Sequence, residues 1–157
     1  MQYPFENAHW ISCPDCPADT APVFRAEFDC SAGADAVLYL SGVGFEAVSL
    51  NGQELDDELL SPALSRYDKT VYYRELSLKP YVREGGNCLE ITLGYGWFNQ
   101  QQEDAWQFEH AIWKASPRLV CAVYCGGKCL LASGSDWLCA PSGTVFNSLR
   151  CGETCDA

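Results

Sequence analysis

The alternation of apolar and polar positions favours strands along almost the whole chain. Val23-Phe24-Arg25-Ala26-Glu27-Phe28 roughly alternates, as a half-buried strand does, and Ala36-Val37-Leu38-Tyr39-Leu40 is a continuous apolar run that reads as a buried strand. Phe45 to Leu50 runs into Asn51-Gly52, two residues that tolerate positive φ, and a hairpin reversal is predicted there. Thr70 to Leu78, rich in Tyr and Leu, is a further strand. Cys88 to Leu93 sets Leu89, Ile91 and Leu93 on one face, with Gly85-Gly86-Asn87 as the turn before it. Leu119 to Tyr124 and Cys129 to Ala132 flank Gly126-Gly127, a second tight hairpin. Helical character is confined to Leu55 to Leu60, a turn of helix or an irregular loop, and to Leu78 to Val82, which Pro80 interrupts. The first 21 residues, with the Pro/Cys-rich stretch Ser12 to Pro22, read as a leader loop, and Gln100 to Ala105 as a polar surface loop.

Many short strands separated by turn signals predict an all-β fold, an antiparallel β-sandwich of jelly-roll (galactose-binding-like) type. With 157 residues, 48% hydrophobic content and no repeat or composition break, a single domain over 1–157 is expected. Such a chain buries enough surface to fold without a metal or disulfide staple. Ten Lys plus Arg against 21 Asp plus Glu give a net charge of −11, a field that repels phosphate backbones and argues against nucleic acid as a partner. No apolar run approaches the roughly 18 residues of a membrane span, and Met1 to Glu6 has neither a basic nor an apolar leader region. A cytoplasmic location without membrane association is the expectation.

The ten cysteines, about 6% of the chain, fall below the share that marks a secreted disulfide scaffold, so reduced thiols are expected. Cys13-x-x-Cys16 and Cys125-x-x-x-Cys129 have knuckle-like spacing for a four-thiolate zinc site, with Pro14, Pro17 and Gly126-Gly127 supplying the turns. The preferred alternative places Cys121, Cys125 and Cys129 on hairpin strands as small hydrophobes.

Catalytic constellations are absent from the sequence: no Gly-x-Ser-x-Gly elbow, phosphate-binding Gly loop or His-Glu-x-x-His pair occurs, and the two histidines, His9 and His110, read as surface or structural residues. Asp56-Asp57-Glu58 and Glu103-Asp104 read as solvated acidic faces rather than a glycosidic acid and base. Aromatic residues, 13% of the chain, are more informative, because Trp97, Trp106, Trp113 and Trp137 crowd its later part. Sugars present flat C–H faces and hydroxyl rims, which exposed rings and neighbouring carboxylates or amides match. Gly94-Tyr95-Gly96-Trp97-Phe98-Asn99 offers that chemistry at a strand end, and Trp97, Tyr95, Asn99, Asp56 and Asp57 form the candidate carbohydrate site. The alternative is that Trp97 packs into the core and the glycines make room for it. Asp56, Asp57 and Asn99, with backbone carbonyls, also offer oxygen ligands for calcium, against the simpler reading of a solvated acidic loop.

The ordered motifs resemble the N-terminal β-sandwich of bacterial α-L-rhamnosidases, glycoside hydrolase family 78. They run from Trp10-Ile11 and Pro22-Val23-Phe24-Arg25 through Leu38 to Glu46, Leu50-Asn51-Gly52, Leu60-Ser61-Pro62 and Tyr67 with Tyr72-Tyr73. Asn87-Cys88-Leu89, Leu93 to Phe98, Pro117-Arg118-Leu119, Ser135-Asp136-Trp137 and Gly152 to Ala157 complete the order. The resemblance implies a fragment whose catalytic (α/α)6 barrel lies downstream of Ala157, in a bacterial enzyme that hydrolyses terminal α-L-rhamnosides by an inverting route. It also implies L-rhamnose or rhamnosides and the enzyme's other domains as partners, since some members carry a related calcium-dependent rhamnose-binding sandwich. Where the family has Pro-Gly-Trp-Thr-x-Tyr, this chain has Pro62-Ala63-Leu64-Ser65-Arg66-Tyr67, without the glycine and tryptophan.

Overall fold

The computed structural model describes residues 3–55 and 58–156, folded as an antiparallel β-sandwich of two five-stranded sheets and one extra hairpin. The strands are β1 (Ile11–Ser12), β2 (Pro22–Cys30), β3 (Ala36–Val43), β4 (Phe45–Leu50), β5 (Gln53–Glu54) and β6 (Arg74–Ser77). They continue as β7 (Gly85–Gly94), β8 (Arg118–Cys125), β9 (Lys128–Ala132), β10 (Leu138–Pro141), β11 (Thr144–Ser148) and β12 (Gly152–Cys155). The first sheet runs β1-β8-β3-β6, with β9 also on β8, and the second runs β10-β2-β7-β4-β5. β11 and β12 pair only with each other.

Side-chain alternation decides which face of each sheet turns inward. Leu38 lies opposite Val123 and Leu40 opposite Cys121 in the first sheet; in the second, Ile91 lies between Phe24 and Val48, and Leu89 beside Leu50. These residues, with Leu93, Leu119, Phe28 and Trp137, form one core cluster between the sheets. Each fully buried Leu or Ile contributes about 1.5–3 kcal/mol relative to exposure. The Asn51-Gly52 hairpin forms as expected, with φ of 56° and 78° at its two corners, and Gly126-Gly127 turns β8 into β9 in the same way.

Four local expectations are corrected. Ala36 to Leu40 is buried on one face only: Ala36, Leu38 and Leu40 enter the core while Val37 and Tyr39 point outward and stay partly accessible. Thr70 to Leu78 pairs only over Arg74–Ser77, because the preceding residues leave the ladder: the Tyr72 carbonyl accepts from Ser41 Oγ (2.8 Å) and the Tyr73 ring packs on Phe5 and Tyr39. Gly85 and Gly86 belong to β7, and the turn before them is the Leu78 to Val82 segment, where Tyr81 and Val82 N–H both donate to the Leu78 carbonyl. The leader is partly structured as well. Ile11–Ser12 pairs with β8, His9 N–H donates to Ser133 O (2.8 Å) and Phe5 is buried. Around Leu55 to Leu60, no helix occurs among the described residues.

Polar side chains close the two ends of the sandwich. Asn87, 1% exposed, donates to the carbonyls of Arg83 (3.0 Å) and Gly85 (2.8 Å) and accepts from Arg83 N–H and Asn51 Nδ2 (both 2.9 Å). Asn51 in turn accepts from Cys88 N–H and donates to the Tyr81 carbonyl, so the β4–β5 hairpin, the 78–84 turn and β7 are tied through two amides. On another loop edge the fully buried Glu46 carboxylate accepts from Gly42 N–H and pairs with Arg74 (3.5 Å). Gly42 is the residue that fits there, since a Cβ would lie 2.8 Å from Leu93 Cδ2 and 2.9 Å from Glu46 Cγ.

Asn87→Leu keeps the branched shape of the side chain but strands the Arg83 N–H, two carbonyls and the Asn51 amide. We expect urea denaturation to show a loss of about 2–4 kcal/mol. A loss below about 0.5 kcal/mol, the range of surface substitutions, would contradict the locking role.

Candidate functional site

Between β7 and β8 the chain makes a long excursion, 95–117, whose only regular piece is a 3-10 turn at Phe108–His110. Connections of that length inside a compact domain are uncommon and are usually functional loops or linker segments. A second stretch without strands, 58–73, packs against it: Tyr67 meets Phe98 (centroids 5.3 Å apart) and Trp113 (6.0 Å), both edge-to-face. The candidate site is built where these loops meet.

Trp97 is half-buried, edge-to-face against Trp106 (5.9 Å, 80°) and Phe108 (5.4 Å, 69°), and Phe108 continues to Trp113 (6.2 Å). Trp106 is 62% exposed and is the ring this cluster offers to solvent, with the Arg150 guanidinium 5.1 Å from its centroid. Asp104 Oδ1 caps the Trp106 N–H (2.6 Å). The other carboxylate oxygen, Asp104 Oδ2, and the indole Nε1 of Trp113 are both buried without a hydrogen-bond partner. An orphaned acceptor and an orphaned donor within one aromatic loop are costly unless a further polar group meets them.

The predicted residues divide. Trp97 belongs to the aromatic cluster, so neither the fully exposed ring nor the core ring describes it. Tyr95 is buried: its N–H donates to Asn147 Oδ1 (2.6 Å), and its hydroxyl donates to the Ala18 carbonyl, with the Pro17 and Thr20 carbonyls close by. Its ring is spent on bolting the leader segment to the end of β7 and offers no face to a sugar. Asn99 is also buried, with Oδ1 accepting from Gln101 Nε2 (2.7 Å). Gln100, expected on a polar surface, is only 2% exposed and donates to the Gln102 carbonyl. Asp56 and Asp57 lie outside the described residues. Of the three oxygen ligands considered for calcium, Asn99 alone is described, and its amide oxygen is already engaged. Among the described residues no three His, Cys, Asp or Glu side chains converge as metal ligands. All ten cysteines are free thiols; Cys125 and Cys129 lie on the β8–β9 hairpin, and Cys121 is buried in the core. His9 and His110 are exposed.

Trp106, Phe108, Trp113, Asp104 and Arg150 are the members that sequence reading did not assemble. Their signal was a stretch without strand alternation that still carried large rings. Trp137, by contrast, is a core residue whose Nε1 donates to the Ala132 carbonyl (2.9 Å).

Burial pushes the phenols of Tyr95 and Tyr67 up to about 12, from an ordinary value near 10; for Tyr95, Cys16 and Asp19 add to the effect. A raised acid pKa means that the folded state holds its proton more tightly than the unfolded one. The stabilisation is complete below pH 10 and is lost as pH rises from 10 through 12. We expect urea midpoints to fall across that window, and to fall less in Tyr95→Phe. An identical pH profile for that variant would remove Tyr95 as the source.

With the geometry in place, comparison with known proteins gives a consistent result. The family model described as the α-L-rhamnosidase N-terminal domain matches residues 32–157. An α-L-rhamnosidase of Formosa agariphila is 28% identical over 153 residues, covering 87% of this chain and 15% of its own length. One from Streptomyces avermitilis is 29% identical over 126 residues, covering 78% of this chain and 12% of its own. The crystal structure of Streptomyces avermitilis α-L-rhamnosidase complexed with L-rhamnose matches with a TM-score of 0.73 and 26% identity, over 88% of this chain and 14% of that one. The native α-L-rhamnosidase from Aspergillus terreus matches with a TM-score of 0.83 over 94% of this chain and 18% of that one; at 20% identity this is a likeness of fold. The chain thus spans 12% to 15% of the length of these curated relatives. With residues 32–157 inside the family model, the chain belongs to the α-L-rhamnosidase N-terminal domain family.

Proposed function

We propose that this domain is the non-catalytic accessory module of an enzyme that hydrolyses terminal α-L-rhamnosides, and that its aromatic loop binds the sugar. The observation that carries the reading is the exposed Trp106 ring, supported by Trp97 and with the Arg150 guanidinium 5.1 Å from its centroid. A pyranose meets such a set with both halves of its chemistry. C–H groups stack on the ring, and hydroxyls accept from the Arg150 guanidinium beside it. An inverting hydrolysis needs a carboxylic acid at the leaving oxygen and a carboxylate on the water. In this proposal those groups belong to another part of the enzyme, and this domain binds and orients the glycoside.

A structural spacer is the second reading, favoured by Leu59 and Ile112, which are 85% and 84% exposed and would suit packing against a neighbouring module. No membrane span enters either reading, since among the described residues no helix is long and apolar enough to cross one.

L-rhamnose titrated into the 157-residue chain, followed by tryptophan fluorescence with calcium and again with chelator, separates the two. Saturable binding is expected, and Trp106→Ala should weaken it about tenfold, the worth of one stacked ring. Trp10→Ala, which alters an exposed ring outside the loop, should leave it unchanged. Full affinity in Trp106→Ala would overturn the assignment of the site, and a flat response in both buffers would leave the spacer. Loss of binding in chelator alone would show that Asp56, Asp57 and Asn99 deserve substitution next.

A further inference from the structure

We propose that a tyrosine-lined groove on the outer face of the first sheet is a second binding site, for a neutral pyranoside. The proposal extends the sugar-binding reading but shares no residue with the aromatic loop. The groove, about 420 Å³, is lined by Tyr39, Tyr73 and Tyr124, with Tyr3 and Pro4 at one side and Gly126-Gly127 at another. Its volume lies in the range of about 300–1,000 Å³ typical of small-molecule sites.

Three features select the ligand class. The first is the floor. Tyr39 sits 6.3 Å from Tyr73 and 6.0 Å from Tyr124, at interplanar angles of 53° and 76°. Rings that meet obliquely or by edges keep faces available for stacking, and Tyr73 is 48% exposed. The second is the rim, where Asp35 and Glu75 supply carboxylate acceptors for hydroxyl groups. Glu75 lies directly opposite Tyr39 in the β3–β6 register. The Tyr39 and Tyr124 hydroxyls are neutral groups, and burial pushes both phenols further up from an ordinary value near 10. The third is charge. The groove's carboxylates repel anions, and the nearby Lys79 ammonium is held by Asp35 at 2.8 Å. Phosphorylated or uronic sugars are therefore disfavoured. An aliphatic protein segment fits less well than a sugar, because the lining sets only Val37 and Pro4 as aliphatic side chains against four tyrosines and two carboxylates.

The face is set up by the β3 pattern. Leu38 and Leu40 hold the inner side, so Val37 and Tyr39 must point out, and Tyr124 joins them because it pairs with Val37 across the ladder. The turn beyond Tyr124 leaves the groove open: a Cβ on Gly126 or Gly127 would touch nothing within 4 Å.

Saturation-transfer difference NMR on the 157-residue chain tests the site with three probes: the disaccharide α-L-rhamnosyl-(1→6)-D-glucose, methyl β-D-glucopyranoside and D-galacturonate. Transfer to at least one neutral probe should persist in Trp106→Ala and fall about tenfold in affinity in Tyr39→Ala and in the exposed-ring variant Tyr73→Ala. D-Galacturonate should show no transfer. Both tyrosine variants are first checked by circular dichroism, and Tyr73→Ala serves if Tyr39→Ala fails to fold. Affinity for every neutral probe unchanged in folded Tyr73→Ala and Tyr39→Ala would overturn the groove while leaving the aromatic-loop site standing. Loss of all transfer in Trp106→Ala would also overturn it, by assigning the binding to that loop alone. Tighter binding of galacturonate than of the neutral probes would refute the charge selection, and absence of transfer to any probe would overturn both sites.

Discussion

The constraint on which everything else depends is that neither sheet can bury its apolar face alone. Leu38, Leu40, Leu119 and Val123 on one sheet and Phe24, Leu89, Ile91 and Leu93 on the other leave water only by meeting each other. Once they meet, backbone polar groups at the margins of the sandwich lose water and need partners. Asn51 and Asn87 satisfy several of them through one pair of side chains, and Glu46 satisfies another. The same closure fixes which residues face outward and where the two long loops emerge.

A rigid frame of this kind suits loops that carry recognition. The 95–117 excursion is anchored at its start by Tyr95, which holds the leader segment through its hydroxyl and β11 through its N–H to Asn147. Trp97, Trp106 and Phe108 support one another, with Trp97 edge to face on both partners, rather than entering the core. Trp97 therefore serves as a buttress, and Trp106 is the ring presented to solvent. The tyrosines of the first sheet need no loop at all, because strand alternation itself points them outward.

Much of the fold was legible in the sequence because period-two patterning and turn residues are local signals. Asn51-Gly52, Gly126-Gly127 and the Leu89, Ile91, Leu93 stripe each act over a few residues, and each forms as read. Positions set by distant contacts were not legible. The place of β10 depends on β2, far back in the chain, and the amide lock joins Asn51 to Asn87 across 36 residues. Tyr39 misled for a related reason: a continuous apolar run gives no hint that one face stays open. In the candidate site, the motif around Trp97 pointed to the 95–117 loop but not to the ring that loop exposes, Trp106. Nothing local distinguishes a buttressing tryptophan from a presented one, or shows that Tyr95 and Asn99 are spent on backbone and neighbouring side chains. Asp56 and Asp57 lie outside the described residues.

The most direct test of the central claim is a two-dimensional 15N–1H spectrum of the indole N–H signals during addition of L-rhamnose. Five tryptophans give five resolved reporters. The account predicts that the Trp106 and Trp113 signals move together and saturate, while Trp137, hydrogen-bonded to Ala132 in the core, stays fixed. Movement of none of them, or of Trp137 in place of the loop pair, would contradict it.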